Sequence, residues 1–519
     1  MTLVAALPLA GCPQLADDPF EKVDGDETTH SGMGGGNTSN SATSTTGLIL
    51  DGAGGSSSSE DGSATTDGTT TGNVGAGAPG IGGDSGTSTS TTGGGGANEV
   101  PTTLVYAADD IIYAAAWEGA GLGPPTEWDS APHPIAFVEA RLAPDRSWAL
   151  VGLQGGGEGG CELYLYRHFG AVTAPAVTLE IGEPDNCSSA RAFDIAFEQE
   201  TGSALVVYAL PEGELAYHVI EAGALSDAEI LVPTDASIAI NWVRAVPDSA
   251  SDRIMVGFTA EGSTRNSLFV QEWDGSKFDA SHELVKSGSI LYGESFDFAY
   301  SAGELIALRG DASKDGFGYN LRGMNGDWRA EVFRPDALNG NAQVIELRSM
   351  PYGVAGALFD ATGEFASFGT MLWQDRSFIE ETRLDNTLPD VANFEPASQK
   401  TDIQRLGNAA VTVYANAYEG EEDAASSLGW AVLRPESEWT MQQGALPIPF
   451  DQESRNAVTR SVRLARFTAE QEGLVLAFAE DGGLYVSSLT DLEVGFTPPE
   501  LVDANVDGLS TTPFALIGP

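Results

Sequence analysis

The stretch Phe193–Gly223, FDIAFEQETGSALVVYALPEGELAYHVIEAG, decides how this chain is read. It is built of short apolar runs rich in β-branched and aromatic residues, FDIAF, ALVVYAL and LAYHVI, separated by EQETGS and PEGE. Runs of this length, closed by Gly, Pro and acidic turn residues, are strands joined by tight turns. No helical period is sustained in it. The pattern returns in Glu294–Gly310, ESFDFAYSAGELIALRG, where Phe296-Asp297-Phe298-Ala299-Tyr300 echoes Phe193-Asp194-Ile195-Ala196-Phe197.

Further echoes extend the pattern. VQEWDGSKF and MLWQDRSF share a Trp, a polar turn and a Phe, so that Trp273 and Phe278 match Trp373 and Phe378. MNGDW, ending at Trp328, and PESEW, ending at Trp439, are looser versions. LVYAADDIIYAAAW, from Leu104, matches LVLAFAEDGGLYVSSL, from Leu474. Taking the second strand of each set as a marker places repeat units at Val105, Leu150, Val206, Val256, Ile306, Ala355, Val411 and Val475. Their spacing, roughly 45 to 65 residues with about four strands each, is that of propeller blades. The body from Val100 to Pro519 therefore resembles the β-propeller superfamily, all-β with eight blades (seven being the nearest alternative). The resemblance implies that the ring closes by a terminal strand, and TTPFALIGP at the end suits the short first unit. Tandem β-sandwiches are the competing fold. No WD-repeat pattern occurs, and SKDGFGYN misses the spacing of the sialidase-type box, so no particular propeller family is indicated.

Charge narrows the partners. With 75 acidic against 25 basic residues in 519, the formal net charge is −50. Such a chain lacks the positive face that neutralising phosphates demands, which excludes nucleic acid and adsorption on anionic lipid. An acidic surface poor in lysine suits a salty exterior, where salt screens its self-repulsion.

The start of the chain supplies an address. Leu3 to Ala10 is apolar and runs into Leu9-Ala10-Gly11-Cys12. This tetrapeptide resembles the lipobox of bacterial lipoproteins, which implies a signal peptide over residues 1–11, cleavage before Cys12 and lipidation of its sulfur. Acyl chains buried at about 0.8 kcal/mol per CH₂ would hold the protein to a bilayer. No Lys or Arg precedes the run, so translation is expected to start upstream of Met1. Pro13 rather than Asp after the cysteine implies sorting to the outer membrane. Beyond residues 12–23, residues 24–99 are Gly, Ser and Thr with scattered acids. Few apolar groups there offset the entropy of ordering, so this segment reads as a disordered linker. Its reach is about 50 Å. The expected protein is thus an envelope lipoprotein displaying a propeller for a protein or extracellular polymer, with a tethered polysaccharide hydrolase or lyase and a passive envelope component as rivals.

Site candidates within the body are few. Cys161 opens the third strand of its unit, after the loop QGGGEGG, and Cys187 lies in the loop to the next unit; in a four-stranded blade these loops emerge on one face, so the two are expected to form a disulfide. DANVDG sets Asp503, Asn505 and Asp507 at alternate positions before Gly508, resembling the first half of a calcium loop. Position twelve is Phe514 rather than Glu, so Ca²⁺ would be held partially, and an ordinary Asp-Gly turn is the alternative. Five histidines are scattered without a zinc pair, and no nucleophile elbow or phosphate loop occurs. Arginine is scarce, yet Arg141, Arg244, Arg348, Arg405 and Arg463 recur in the first strands, which line the channel of a propeller. They would make a cationic mouth suited to the carboxylate or sulfate of an acidic glycan. Ion pairs between blades, through Glu346 or Asp402, are the alternative use for them.

Overall fold

The computed structural model describes residues 99–519 apart from connecting segments, the longest being 286–294, 390–400, 417–426 and 448–460. The lipidation site Cys12 and the segments 1–11, 12–23 and 24–98 lie outside the described residues, as do Trp439 and Asp507. Among the described residues there are strands and turns and no helix.

The strands form eight antiparallel sheets, each four-stranded at its core, in the order of the chain. This is an eight-bladed β-propeller, and the tandem-sandwich alternative is discarded. All eight markers fall on second strands, from Val105 in Thr103–Ala108 to Val475 in Leu474–Glu480. Blade 1 is the exception to sequential order. Its innermost strand is Phe514–Ile517, which pairs with Thr103–Ala108 as Thr103↔Ile517 through Tyr106↔Phe514. The segment before that strand is also tied to blade 2: the Val138 amide donates to the Thr512 carbonyl at 2.9 Å, and the Thr512 amide to the Ala136 carbonyl at 3.0 Å. The chain end thereby closes the ring on both sides.

Burial explains the composition of each strand. Inner strands pack on both faces against neighbouring blades and are near-continuously apolar, as in a covered parallel sheet. Phe193–Phe197 and Ala204–Ala209 are buried throughout, whereas the outer strand Thr126–Ser130 is almost wholly exposed. The matched Trp–Phe pairs have a defined job. In blade 6 the two-residue turn Asp375-Arg376 takes left-handed φ of 51° and 64°, the type I′ geometry that suits the twist of a hairpin. It folds Phe378 onto Trp373, with ring centroids 4.9 Å apart, and both rings pack on Tyr319 of blade 5. In blade 4, Trp273 and Phe278 pack on Tyr217 of blade 3 in the same way.

Cys161 and Cys187 are disulfide-bonded, with Cα atoms 5.4 Å apart. The bond ties the hairpin between the second and third strands of blade 2 to the connection into blade 3. Gly156 makes room for it, since a Cβ there would lie 2.3 Å from the Cys187 sulfur. The bond closes a loop whose ends are 26 residues apart. Reduction is therefore expected to lower the unfolding free energy by about 3 kcal/mol on the chain-entropy argument. Guanidinium unfolding with and without reductant measures this, and coincident curves would contradict it.

Candidate functional site

The first strands run along the central channel with side chains alternating at a period of two. In blade 2 this aims Glu139 and then Arg141 inward, and in blade 6 Glu346 and then Arg348. Toward the ends of these strands the channel widens into a cavity of about 510 Å³. All eight blades contribute to its lining, blade 3 through Gln199 and blade 1 through the closing strand, and hairpins between first and second strands form its rim. Seven of the chain's 25 basic residues converge here: Arg141, Arg146, Arg244, Arg348, Arg405, Arg463 and Arg466. The acidic lining residues are Glu139, Glu346 and Asp402. In a chain of net charge −50, this is a local inversion of sign.

All five arginines expected at the channel mouth line this cavity, but they divide in role. Arg244 belongs to the floor. Its Nε and Nη2 donate to the two carboxylate oxygens of Asp297 at 2.9 and 3.1 Å, and Nη2 also reaches Glu346 at 2.6 Å. Arg463 is also in the floor, with Nη2 3.3 Å from Glu139. Glu139 further receives Arg141 and, at 2.8 Å, the fully buried Arg191. Arg348 donates to the Ile403 carbonyl at 3.0 Å, lies 3.9 Å from Asp402 and is 40% exposed. Arg405 spends its Nε on the Gly407 carbonyl at 2.7 Å. Among the described residues, neither Arg405 nor Arg466 forms an ion pair. Ion pairing between blades thus accounts for the floor and extends to Arg141, 3.7 Å from Asp194, and Arg348, but not to Arg405 and Arg466.

The acids beneath the cavity are structural. Asp194, Asp297 and Asp402 occupy matching places in the first strands of blades 3, 5 and 7. Each accepts a backbone amide from the next blade: Ala245 at 2.8 Å, Leu347 at 2.7 Å and Leu464 at 2.7 Å. Blades 3, 5 and 7 are each clamped in this way to the blade that follows. The Asp in FDIAF and FDFAY was the signal available in the sequence, an acid kept at one place in two otherwise apolar strands. Arg146, Arg191, Arg466 and Glu139 carried no comparable mark.

The electrostatics follow from this layout. Burial pushes the Glu139 carboxyl up, but Arg141, Arg191, Arg463 and Arg244 outweigh it and hold the group well below the usual carboxylate range. Glu346 is pushed up to about 7 by burial, against Arg244 and with Asp297 and Asp402 beside it. Burial and the neighbouring Arg405 and Arg146 guanidinium groups depress Arg466. Burial also depresses Arg463, against the pull of Glu139 and with Arg191 adding to the effect. In both, burial is the leading cause, because it disfavours the charged form.

The remaining candidates lie elsewhere. Asp503 Oδ1 accepts from the backbone and side-chain amides of Asn505 at 2.9 and 3.2 Å, and its Oδ2 accepts from the Tyr106 hydroxyl at 3.2 Å. No group of three or more candidate metal-ligating residues occurs among the described residues. His218 is packed within blade 3, between the Tyr208 hydroxyl at 3.0 Å and the Ser226 carbonyl at 2.9 Å.

No protein-family model matches the chain, and no curated protein matches it in sequence. Solved structures resemble it in backbone only. A chain from work on two prolyl endopeptidases aligns at TM-score 0.41 and 7% identity over 73% of this chain; this chain spans about half, 55%, of that one. The polysaccharide lyase Uly1 aligns at TM-score 0.43 and 9% identity, over 76% of this chain and 99% of that one. A lectin of Aleuria aurantia, bound to a fucosylated sugar, aligns at TM-score 0.34 and 14% identity, over 60% and 97%. At these values the likeness is one of fold.

Proposed function

We propose that this protein is a binding protein whose central cavity takes the anionic group of an acidic extracellular polymer, a uronate or a sulfated sugar. The observation that carries the reading is the surplus of arginine there, seven guanidinium groups against three carboxylates in the lining of a strongly acidic chain. Guanidinium forks match carboxylate and sulfate in geometry as well as charge. The volume falls within the range of small-ligand sites. Among the described residues Phe298 is the one aromatic in the lining, so charge is the chemistry available for recognition. A passive envelope component gives no reason for such a cation cluster, and a hydrolase or lyase would be expected to add exposed aromatic platforms to it. Lipidation at Cys12, an outer-membrane address and a flexible tether over residues 24–99 complete the proposal, supported by the LAGC box and by linker composition.

Calorimetric titration with a uronic-acid trisaccharide, a sulfated one and a neutral one of equal length tests the binding role. The acidic ligands are expected to bind, more weakly as salt rises. The double variant Arg405→Ala/Arg466→Ala is expected to lose about 30- to 100-fold in affinity, the worth of a charged hydrogen bond or two. Its unfolding midpoint should fall only slightly, because neither residue forms an ion pair among the described residues and Arg405 gives up one hydrogen bond, to the Gly407 carbonyl. Equal binding of neutral and acidic sugars, or an unaltered affinity in the variant, would sink the proposal.

A further inference from the structure

The geometry points to a site that takes up a proton at Glu346 when it takes up an anion, an inference that rests on the anion-binding reading of this cavity. Glu139 and Glu346 occupy like places in the first strands of blades 2 and 6, each two residues before a rim arginine, and both line the cavity. Their surroundings differ. Glu139 has Arg141, Arg191 and Arg463 within ion-pair distance. Glu346 has Arg244 at that distance, and Asp297 already holds that arginine through two hydrogen bonds.

The groups facing Glu346 can be taken element by element. The first strand of blade 4 contributes Arg244, that of blade 5 Asp297, that of blade 7 Asp402 and that of blade 8 Arg463. Its own strand contributes Arg348 at the rim. The second strand of its own blade sets Ala357 opposite it in register and adds no charge there. Two carboxylates therefore crowd a third, and the arginine between them is shared. Such a cluster favours the neutral acid at one member, consistent with a Glu346 carboxyl pushed up to about 7. Among the described residues no histidine lines the cavity.

An anion entering the cavity adds another negative charge beside Glu346. Protonation of Glu346 removes one such charge and leaves Arg244 less engaged, so the two events favour each other. By linkage the preference is mutual: the bound anion raises the proton affinity of Glu346, and protonated Glu346 raises the affinity for the anion. No bond other than the O–H of the carboxyl forms, and the proton comes from solvent.

The test is calorimetry on the full chain with a uronic-acid trisaccharide, whose carboxylates stay ionised throughout, at pH 6 and pH 8. Repeating it at pH 7.5 in two buffers of different ionisation enthalpy reads proton uptake directly. Binding is expected to be about tenfold tighter at pH 6, within the usual size of such coupling, with net proton uptake at pH 7.5. Glu346→Gln should bind with an affinity independent of pH and with no proton uptake. Binding that is equal at both pH values without proton uptake would overturn the inference and leave the anion-binding reading standing. A pH dependence that survives in Glu346→Gln would do the same. No binding at any pH would overturn both. The wild-type heats decide the matter alone if the variant does not fold.

Discussion

Asp297→Ala is expected to destabilise the protein by about 3–5 kcal/mol, the cost of breaking a buried ion pair by removing one partner. The Asp297 side chain is essentially inaccessible, and it holds Arg244 through both oxygens while one of them also accepts the Leu347 amide. Alanine leaves a buried guanidinium with Glu346 as its remaining carboxylate at ion-pair distance and orphans a backbone amide between blades 5 and 6. Asp297→Asn should recover part of the loss, because an amide oxygen still accepts from Leu347 while the charge is gone. Guanidinium unfolding measures both variants. A loss under about 1 kcal/mol for alanine, the size of an exposed ion pair, would show that the clamp contributes little.

Opening the ring should have the other large effect. A chain ending at Pro513 lacks the inner strand of blade 1, including Phe514 and Ile517, both fully buried, and the register from Thr103↔Ile517 to Tyr106↔Phe514. Blade 1 would be left with an unpaired edge facing the channel, and the flanks of blades 8 and 2 would lose their cover. Such a chain is expected not to reach a cooperatively folded state. The milder Phe514→Ala should cost about 3–5 kcal/mol, as for other buried aromatics. Circular dichroism melts and denaturant titration distinguish the outcomes, and a truncated chain with the parent's midpoint would mean that the ring does not depend on this strand.

Legibility in the sequence follows from the range of the interaction involved. Strand and turn are local, and their punctuation by Gly, Pro and Asp repeats from blade to blade, so each second-strand marker lands where the structure puts one. The disulfide was also within reach, because the order of strands in a blade sends the Cys161 and Cys187 loops to one face. The Trp–turn–Phe echo marked a real device, the type I′ hairpin that sets Phe378 edge-to-face against Trp373, though not its target Tyr319, which belongs to the preceding blade. The partial calcium loop was weaker from the start, since an Asp-x-Asn spacing is also what a turn needs, and Asp503 spends its described contacts on Asn505 and Tyr106.

The cavity divides along the same line. That arginines recur in first strands is visible in one dimension, and the alternation of strand side chains is enough to aim them at the channel. Which of them is spent cannot be read there. Arg244 meets Asp297, 53 residues away, and Arg463 meets Glu139, 324 residues away, pairings that exist only once the ring has closed. The same closure makes one glutamate an ionised partner of several arginines and another, in a like place, a carboxyl crowded by aspartates. Composition and local pattern by themselves determined the strands and the repeat. Tertiary structure alone decided which charges cancel, because cancellation depends on distances across the channel, and those are fixed by eight blades and one closing strand together.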